Sequence, residues 1–167
     1  MIVIQNAMPV ELAEGLRSTF IAAPYGRVEQ VIEDMYPGSK ERYVAQVKKS
    51  SELKSARPFK DAVAAIDAEL NHRGFTDGVL ACMAVKFDAG DFLREHVDPG
   101  VGIVLYLSKD WVWDWGGLLL SRVGEGYIAT RPVFNQLVII ENKASHFVTP
   151  VTTYAKEPRY VLIGLKK

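Results

Sequence analysis

Arg94-Glu95-His96-Val97-Asp98 is the stretch from which the rest of this chain can be interpreted. His96 and Asp98 stand two residues apart, so in an extended strand their side chains lie on the same face. An imidazole and a carboxylate on one face supply two of the three ligands of the 2-His-1-carboxylate facial triad, which holds non-haem Fe(II) and leaves positions open. The alternative is a strand-end histidine that bonds to a neighbouring carboxylate.

Short apolar runs separated by turn signals surround this stretch. Ala89-Gly90-Asp91 precedes it, and Asp98-Pro99-Gly100 follows it. After Gly74 the pattern predicts eight strands: Val79–Phe87, Phe92–Val97, Ile103–Leu107, Leu118–Arg122, Tyr127–Thr130, Val133–Glu141, Phe147–Val151 and Tyr160–Leu165. About eight short strands at this spacing are typical of a β-sandwich or barrel.

The residues before Gly74 have mainly helical periodicity. Apolar residues recur every three or four positions over Pro9–Ala22 and over Phe59–His72, and these spacings predict two amphipathic helices. Their predicted buried stripes are Leu12, Leu16 and Phe20 in the first, and Phe59, Val63, Ile66 and Leu70 in the second. Gly74 is placed to end the second helix.

The sequence pattern of the segment between these helices is less regular. Val28–Met35 is interpreted as a further short helix ended by Pro37-Gly38, and the alternation around Tyr43–Val47 indicates a strand. The charged stretch Lys48–Arg57 is interpreted either as a lid over a site or as a solvated loop. We therefore expect an α+β fold in one domain over residues 1–167, with helical support over about 1–75 and a β-rich core over about 76–167.

Two further residues are candidates for the same site. His146 begins an apolar strand downstream of Asp98, and of the three histidines only His72 is left, at the end of a predicted helix. Arg159 begins the last strand, where an arginine is unusual unless it binds an anion, and its planar guanidinium suits a carboxylate. The alternatives are a structural histidine and a strand-end arginine that points to solvent.

Composition narrows the class of protein. Lysine plus arginine and aspartate plus glutamate both number 20, so the formal net charge is zero. A balanced charge argues against a nucleic-acid or anionic-membrane partner. Cys82 is the only cysteine, and the N-terminal residues lack the pattern of a signal peptide, so we expect a cytoplasmic protein without a disulfide.

Six segments of the β-rich half resemble, in order and approximate spacing, the Fe(II)/2-oxoglutarate-dependent oxygenases, and within them the prolyl-hydroxylase-like branch. The segments are Met83–Phe87, Arg94–Asp98, Leu105–Trp111, Gly116–Leu120, His146–Pro150 and Arg159-Tyr160. The resemblance implies a double-stranded β-helix, a jelly-roll or cupin-like barrel, with the N-terminal helices packed on it.

The resemblance also implies roles for single residues. His96, Asp98 and His146 would bind Fe(II), and Arg159 with the Tyr106 hydroxyl would bind the distal carboxylate of 2-oxoglutarate. Three further residues match positions in the wall of the co-substrate pocket: Met83, Leu119 and Val148.

The activity implied is hydroxylation of an unactivated C–H bond with O2, releasing succinate and CO2, with ascorbate as an optional reductant. The substrate implied is a prolyl or other amino-acid residue in a peptide, a free amino acid or another small molecule. The chain departs from the branch at Phe87, where tyrosine is common, at Leu165, where an aromatic residue is usual, and in a longer segment before Arg159.

Other interpretations stay open at this point. A cupin-like isomerase or metal-binding module would keep His96, Asp98 and His146 without using 2-oxoglutarate, and a non-catalytic relative would act as an interaction domain. The tryptophans at 111, 113 and 115 are interpreted either as a substrate-covering loop or as packing residues, with packing favoured for Trp115.

Overall fold

The computed structural model describes residues 1–32, 43–50, 52–141 and 143–167. The two helices are α1, Val10–Ala22, and α2, Arg57–His72. The strands are β1 (Ile2–Ile4), β2 (Gly26–Ile32), β3 (Tyr43–Ser50), β4 (Leu80–Phe87), β5 (Phe92–Val97), β6 (Val101–Tyr106), β7 (Leu119–Val123), β8 (Gly126–Thr130), β9 (Leu137–Ile140), β10 (Ser145–Val148) and β11 (Arg159–Lys166).

Both predicted amphipathic helices are confirmed. Pro9 stands just before α1, and Leu16 and Phe20 are fully buried on its inner face. Helix α2 begins two residues earlier than predicted and buries Ile66 and Leu70. Proline near a first helical turn costs nothing because its missing N–H would have had no partner there.

The predicted helix over Val28–Met35 is wrong. Residues 26–32 form strand β2, which pairs with β3 in the antiparallel register Val28↔Val47. Pairing with a neighbouring strand outweighed the weak helical pattern of a segment this rich in β-branched residues. Residues 33–35 and Pro37-Gly38 lie outside the described residues.

The eight strands predicted after Gly74 are all present, with ends shifted by a few residues. The strand predicted around Tyr43–Val47 is also present and continues through Ser50 as β3. Lys48–Ser50 therefore belong to a strand, and Glu52–Ser55 form a turn of 3₁₀-helix with Leu53 buried. Apart from Ala56, the described residues of the stretch interpreted as a lid or loop thus belong to a strand, a 3₁₀ turn or the start of α2.

The strands form one strongly curved antiparallel sheet. Its order is β1-β9-β6-β11-β4-β3-β5-β10-β7-β8, with β2 added on β3. Side chains from the first part of this order and from the last part line a common cavity. The two parts therefore face each other, with β3 spanning from β4 to β5.

Alternation along β11 separates two apolar clusters. Tyr160 and Leu162 face the helices, whereas Arg159, Val161 and Ile163 face the cavity or the cluster around it. Successive side chains of a strand point to opposite faces, so the register of β11 with β4 and β6 fixes Arg159 on the inner face. In the described part of the chain neither helix is long and apolar enough to cross a membrane.

Candidate metal and co-substrate site

Two strands place His96 and His146 opposite each other. Strand β5 pairs antiparallel with β10, and His146↔His96 is one of the paired positions. Their ring centroids lie 4.2 Å apart, and both side chains are buried. Glu95, the residue before His96, accepts hydrogen bonds from Ser145 of β10 (2.6 Å) and Tyr127 of β8 (2.9 Å), which connect β5 to both strands.

Each imidazole is oriented by the backbone carbonyl two residues before it in the chain. The Nδ1 atom of His96 lies 2.8 Å from the carbonyl oxygen of Arg94, and Nδ1 of His146 lies 3.0 Å from that of Ala144. A carbonyl oxygen only accepts hydrogen bonds, so each Nδ1 carries a proton. In the neutral ring Nε2 then holds the lone pair, which is the second-shell arrangement typical of metal-binding histidines.

Asp98 lies between the two Nε2 atoms. Its carboxylate oxygens are 3.8 Å from Nε2 of His96 and 3.6 Å from Nε2 of His146. One candidate ligand atom from each of the three residues lies within 4.8 Å of the others. Asp98 follows β5 directly, and a Cβ on Gly102 would stand only 2.7 Å from its Oδ2 atom, so Gly102 leaves room for the carboxylate.

The electrostatics of the cluster suit a cation. Burial lowers the pKa of His96 below its ordinary value, and the neighbouring His146 lowers it further. Neutral imidazole is the form that binds metal. Two imidazole nitrogens and one carboxylate form the donor set of non-haem Fe(II) sites, so these residues fit an iron ion.

Arg159 reaches the same cavity from β11. It is fully buried, and its Cζ atom lies 4.5 Å from the ring centroid of Phe87 and 5.1 Å from that of Tyr106. Among the described residues, none accepts a hydrogen bond from its Nε, Nη1 or Nη2 atoms. Burial lowers the pKa of the guanidinium, and the electrostatic influence of Tyr106 opposes that shift. A buried guanidinium without an acceptor fits a carboxylate ligand.

One cavity of about 470 Å³ joins Arg159 to the His–Asp–His cluster. Its walls include all three residues that the resemblance assigned to the pocket wall: Met83, Leu119 and Val148. Leu165, another departure from the branch, also lines it. The third histidine, His72, is exposed at the end of α2 and is not part of this cluster.

Comparison with known proteins identifies the family. A family model described as the 2OG-Fe(II) oxygenase superfamily matches residues 81–165, slightly more than half of the 167 residues. The chain belongs to the 2OG-Fe(II) oxygenase superfamily. No curated protein matches this oxygenase in sequence.

Solved structures confirm the predicted fold of this oxygenase. A prolyl-4-hydroxylase from Pseudomonas putida superposes with a TM-score of 0.74 at 19% identity, over 99% of this chain and 91% of that chain. A Trichoplax adhaerens prolyl hydroxylase, solved with a peptide fragment of the hypoxia inducible factor oxygen degradation domain, gives 0.76 at 16% identity over 99% and 82%. An oxidoreductase of the 2OG-Fe(II) oxygenase family from Burkholderia pseudomallei gives 0.66 at 12% identity over 98% and 83%.

The family implies Fe(II), 2-oxoglutarate and O2 as the reaction partners of this oxygenase. The residues present fit Fe(II) and 2-oxoglutarate. The His–Asp–His cluster offers the donor set for iron, and Arg159 offers a buried cation for a carboxylate. Tyr106 lies fully buried beside Arg159, and its hydroxyl has no hydrogen-bond partner among the described residues. No atom pair between these two side chains meets hydrogen-bond geometry, although they interact electrostatically.

Sequence reasoning missed two residues of this candidate site. Phe87 was noted only as a departure from tyrosine, yet its ring packs on the Arg159 guanidinium. Lys49 of β3 lines the cavity beside Val85, its partner in β4, and burial lowers its pKa. The alternation of β3 was the available signal for Lys49, but its assignment to a charged loop hid it.

The tryptophans near the site differ in role. Trp111 is buried, donates from Nε1 to the carbonyl of Gly116 (2.9 Å) and packs edge-on against Trp115 at 5.2 Å. Trp113 is 54% exposed. Packing is therefore the better interpretation for Trp111 as well as Trp115, and only Trp113 remains available at the surface.

Proposed function

We propose that this oxygenase is an Fe(II)- and 2-oxoglutarate-dependent dioxygenase that hydroxylates an unactivated C–H bond. His96, Asp98 and His146 are the proposed iron ligands. Arg159 is the proposed partner of the distal carboxylate of 2-oxoglutarate, with the Tyr106 hydroxyl as a second donor. Iron and 2-oxoglutarate, when bound, supply the oxidising chemistry, in which reduction of O2 is coupled to decarboxylation of 2-oxoglutarate to succinate and CO2.

One observation carries the proposal. Arg159 is fully buried in a cavity that also holds the His–Asp–His cluster, and its guanidinium nitrogens have no acceptor among the described residues. A buried charge without hydrogen bonds is costly unless a ligand supplies them. A dicarboxylate that reaches from the metal cluster to Arg159 meets that need, whereas a cupin-like isomerase or binding module would have no use for this cation.

The remaining residues orient and protect the reactants. The carbonyls of Arg94 and Ala144 hold both Nε2 atoms toward Asp98, so the proposed ligand set is preorganised. Apolar side chains make up most of the cavity wall, including Leu119 and Val148, which are almost completely buried. Such a wall excludes water around the reacting groups and strengthens the pairing of Arg159 with a carboxylate.

The proposed substrate is an amino-acid residue, prolyl or other, in a peptide, or a free amino acid. The Trichoplax adhaerens structure contains a peptide fragment bound to a prolyl hydroxylase of similar fold, which supports a peptide for this chain. Peptide and free amino acid both place an unactivated C–H bond next to amide or carboxylate groups. A panel that contains both classes is therefore the suitable screen.

Metal binding tests the first half of the proposal. We expect the wild type to bind one Mn(II), used as an anaerobic stand-in for Fe(II), and Asp98→Ala to lose this binding because one of three ligands is removed. His72→Ala is the matched control, since it removes a histidine outside the cluster. Stoichiometric Mn(II) in Asp98→Ala by calorimetry would contradict the assignment.

Co-substrate binding tests the second half. We expect the Mn(II)-loaded wild type to bind 2-oxoglutarate and Arg159→Ala to bind it far more weakly. A wild type that binds the metal but not 2-oxoglutarate would favour the cupin-like alternative. Succinate release in the presence of Fe(II), ascorbate and the substrate panel then measures turnover, and stimulation by one class of compound identifies the substrate.

A further inference from the structure

Ser108 forms hydrogen bonds with the backbone on both sides of Arg159. Its side chain is fully buried two residues after β6. The Oγ atom donates to the carbonyl oxygen of Pro158 at 3.1 Å and accepts from the backbone N–H of Tyr160 at 2.8 Å. One hydroxyl therefore holds the residue before Arg159 and the residue after it.

The hydroxyl replaces backbone pairing at the point where the ladder between β6 and β11 stops. The backbone N–H of Leu107 donates to the carbonyl of Tyr160 at 3.0 Å, which is the outermost of these backbone bonds in the described ladder. Pro158 has no N–H and cannot extend the ladder. Ser108 instead provides hydrogen-bond partners for the Pro158 carbonyl and the Tyr160 N–H, because buried backbone polar groups need such partners.

Arg159 is held from the opposite side by strand β4. Arg159↔Phe87 is the outermost paired position of β4 and β11. The start of β11 is therefore fixed on one side by backbone pairing with β4, and on the other by the Ser108 hydroxyl together with the bond from the Leu107 N–H to the Tyr160 carbonyl. Without that hydroxyl, the bond from the Leu107 N–H to the Tyr160 carbonyl would be the last one on the β6 edge, and the Pro158 carbonyl and the Tyr160 N–H would lose this partner.

We propose that Ser108 is a positioning residue that sets where the Arg159 guanidinium stands relative to the His–Asp–His cluster. The proposal rests on the proposed function, because it assigns Arg159 to the distal carboxylate of 2-oxoglutarate. A dicarboxylate held at one end by the metal site and at the other by a guanidinium needs the two binding groups at a fixed separation. Small displacements at such sites reduce binding strongly.

The connection before Arg159 has other supports, so loss of the hydroxyl acts locally. Glu157 accepts from the backbone N–H of Lys109 at 2.8 Å and pairs with Arg17 of α1 at 2.6 Å. These contacts hold the turn of residues 108–110 against the segment before β11 when Ser108 is changed. We therefore expect Ser108→Ala, which removes the hydroxyl at nearly constant volume, to fold, and Ser108→Cys, whose larger sulfur bonds weakly, to fold with a small local adjustment.

The experiment measures 2-oxoglutarate binding to Mn(II)-loaded protein under nitrogen by calorimetry. We expect Ser108→Ala to raise the dissociation constant of 2-oxoglutarate about tenfold, with Ser108→Cys intermediate, and both to leave the Mn(II) dissociation constant unchanged. During turnover we expect Ser108→Ala to raise the KM for 2-oxoglutarate and to leave kcat at saturation unchanged. A general loss of stability does not produce this combination.

Asn135→Gly is the matched control. The Asn135 side chain also makes two buried hydrogen bonds to backbone groups, both of Met8 (3.2 and 2.7 Å), and its φ of 59° suits glycine. We expect this variant to lose thermal stability without a change in 2-oxoglutarate affinity. Equal affinity in wild type and both Ser108 variants would overturn the proposal, as would an equal loss in Asn135→Gly. Absence of 2-oxoglutarate binding in the wild type would instead overturn the proposed function.

Discussion

The Arg159 guanidinium lies on the face of the Phe87 ring, with 4.5 Å between Cζ and the ring centroid. The two residues are partners in the β4–β11 register, so their side chains stand beside each other on the inner face. Both are fully buried. An aromatic face attracts a cation electrostatically and offers no acceptor atom, so it stabilises the guanidinium while leaving its N–H groups free for a ligand.

Phe87→Leu should weaken 2-oxoglutarate binding. Loss of a desolvated cation–π contact costs about 0.5–2 kcal/mol, so we expect the dissociation constant to rise by a factor of about two to thirty. Calorimetry on Mn(II)-loaded protein measures this change. Phe59→Leu is the control, because Phe59 is a buried ring that packs against Phe20 in the helix-side cluster. An unchanged affinity in Phe87→Leu would show that the ring only fills space.

Gly117→Ala should disturb Arg159 as well as the backbone. Gly117 has a φ of 61°, and a Cβ there would stand 2.9 Å from Cδ of Arg159. The left-handed backbone conformation alone costs a non-glycine residue about 1–2 kcal/mol. We therefore expect lower stability together with weaker 2-oxoglutarate binding, measured by urea unfolding and calorimetry.

Gly124→Ala separates the two effects in Gly117→Ala. Gly124 has a φ of 59°, but no atom lies within 4 Å of a Cβ built there. We expect it to lose a similar amount of stability and to bind 2-oxoglutarate like the wild type. Equal affinities in the two variants would mean that Arg159 adjusts around the added methyl group.

The sequence was sufficient for the elements whose pattern is strong. Alternation and turn signals predicted Phe92–Val97 with the bounds observed for β5, and the four-residue spacing predicted α1. The sequence also named His96 and His146 as candidates for one site, but it did not predict that they would be opposite positions of the paired strands β5 and β10. Resemblance to a family supplied the residues of the pocket wall.

The features that could not be predicted from the sequence depend on contacts between strands that are distant in the chain. The β-branched residues of Val28–Ile32 favour a strand only weakly over a short helix until β3 is present to pair with them. Nothing near Ser108 indicates that its hydroxyl joins Pro158 and Tyr160, which lie about fifty residues further along the chain. Phe87 gives no sign of its contact with Arg159 until the register of β4 and β11 is known.

Cys82 should be unreactive in the folded protein. It should also make the free energy of unfolding decrease at alkaline pH. Burial, with a smaller contribution from Asp67, raises the pKa of the thiol to about 12, against about 8.5 in an unfolded chain. Above pH of about 8.5 the unfolded state loses this proton and the folded state keeps it, so stability falls as pH rises toward 12.

Two measurements check this prediction. A thiol reagent at pH of about 8 should label the denatured protein rapidly and the native protein slowly. Urea unfolding at neutral and alkaline pH should show the stability advantage of wild type over Cys82→Ala shrinking by up to about 1.4 kcal/mol per pH unit. Parallel pH profiles for the two proteins would contradict the prediction.

Tyr106→Phe should change ligand affinity and protein stability in different directions. The Tyr106 hydroxyl is buried without a hydrogen-bond partner among the described residues, so its removal breaks no bond in the free protein. We expect the free energy of unfolding to stay the same or to increase, because an unsatisfied buried polar group is lost. If the hydroxyl donates to 2-oxoglutarate, the variant loses about 1 kcal/mol of binding, a rise of about fivefold in the dissociation constant.

Tyr25→Phe is the control for Tyr106→Phe: its hydroxyl is also buried without a partner among the described residues, but Tyr25 does not line the cavity. It should share the effect on stability and bind 2-oxoglutarate normally, whereas an unchanged affinity in Tyr106→Phe would remove Tyr106 from the site.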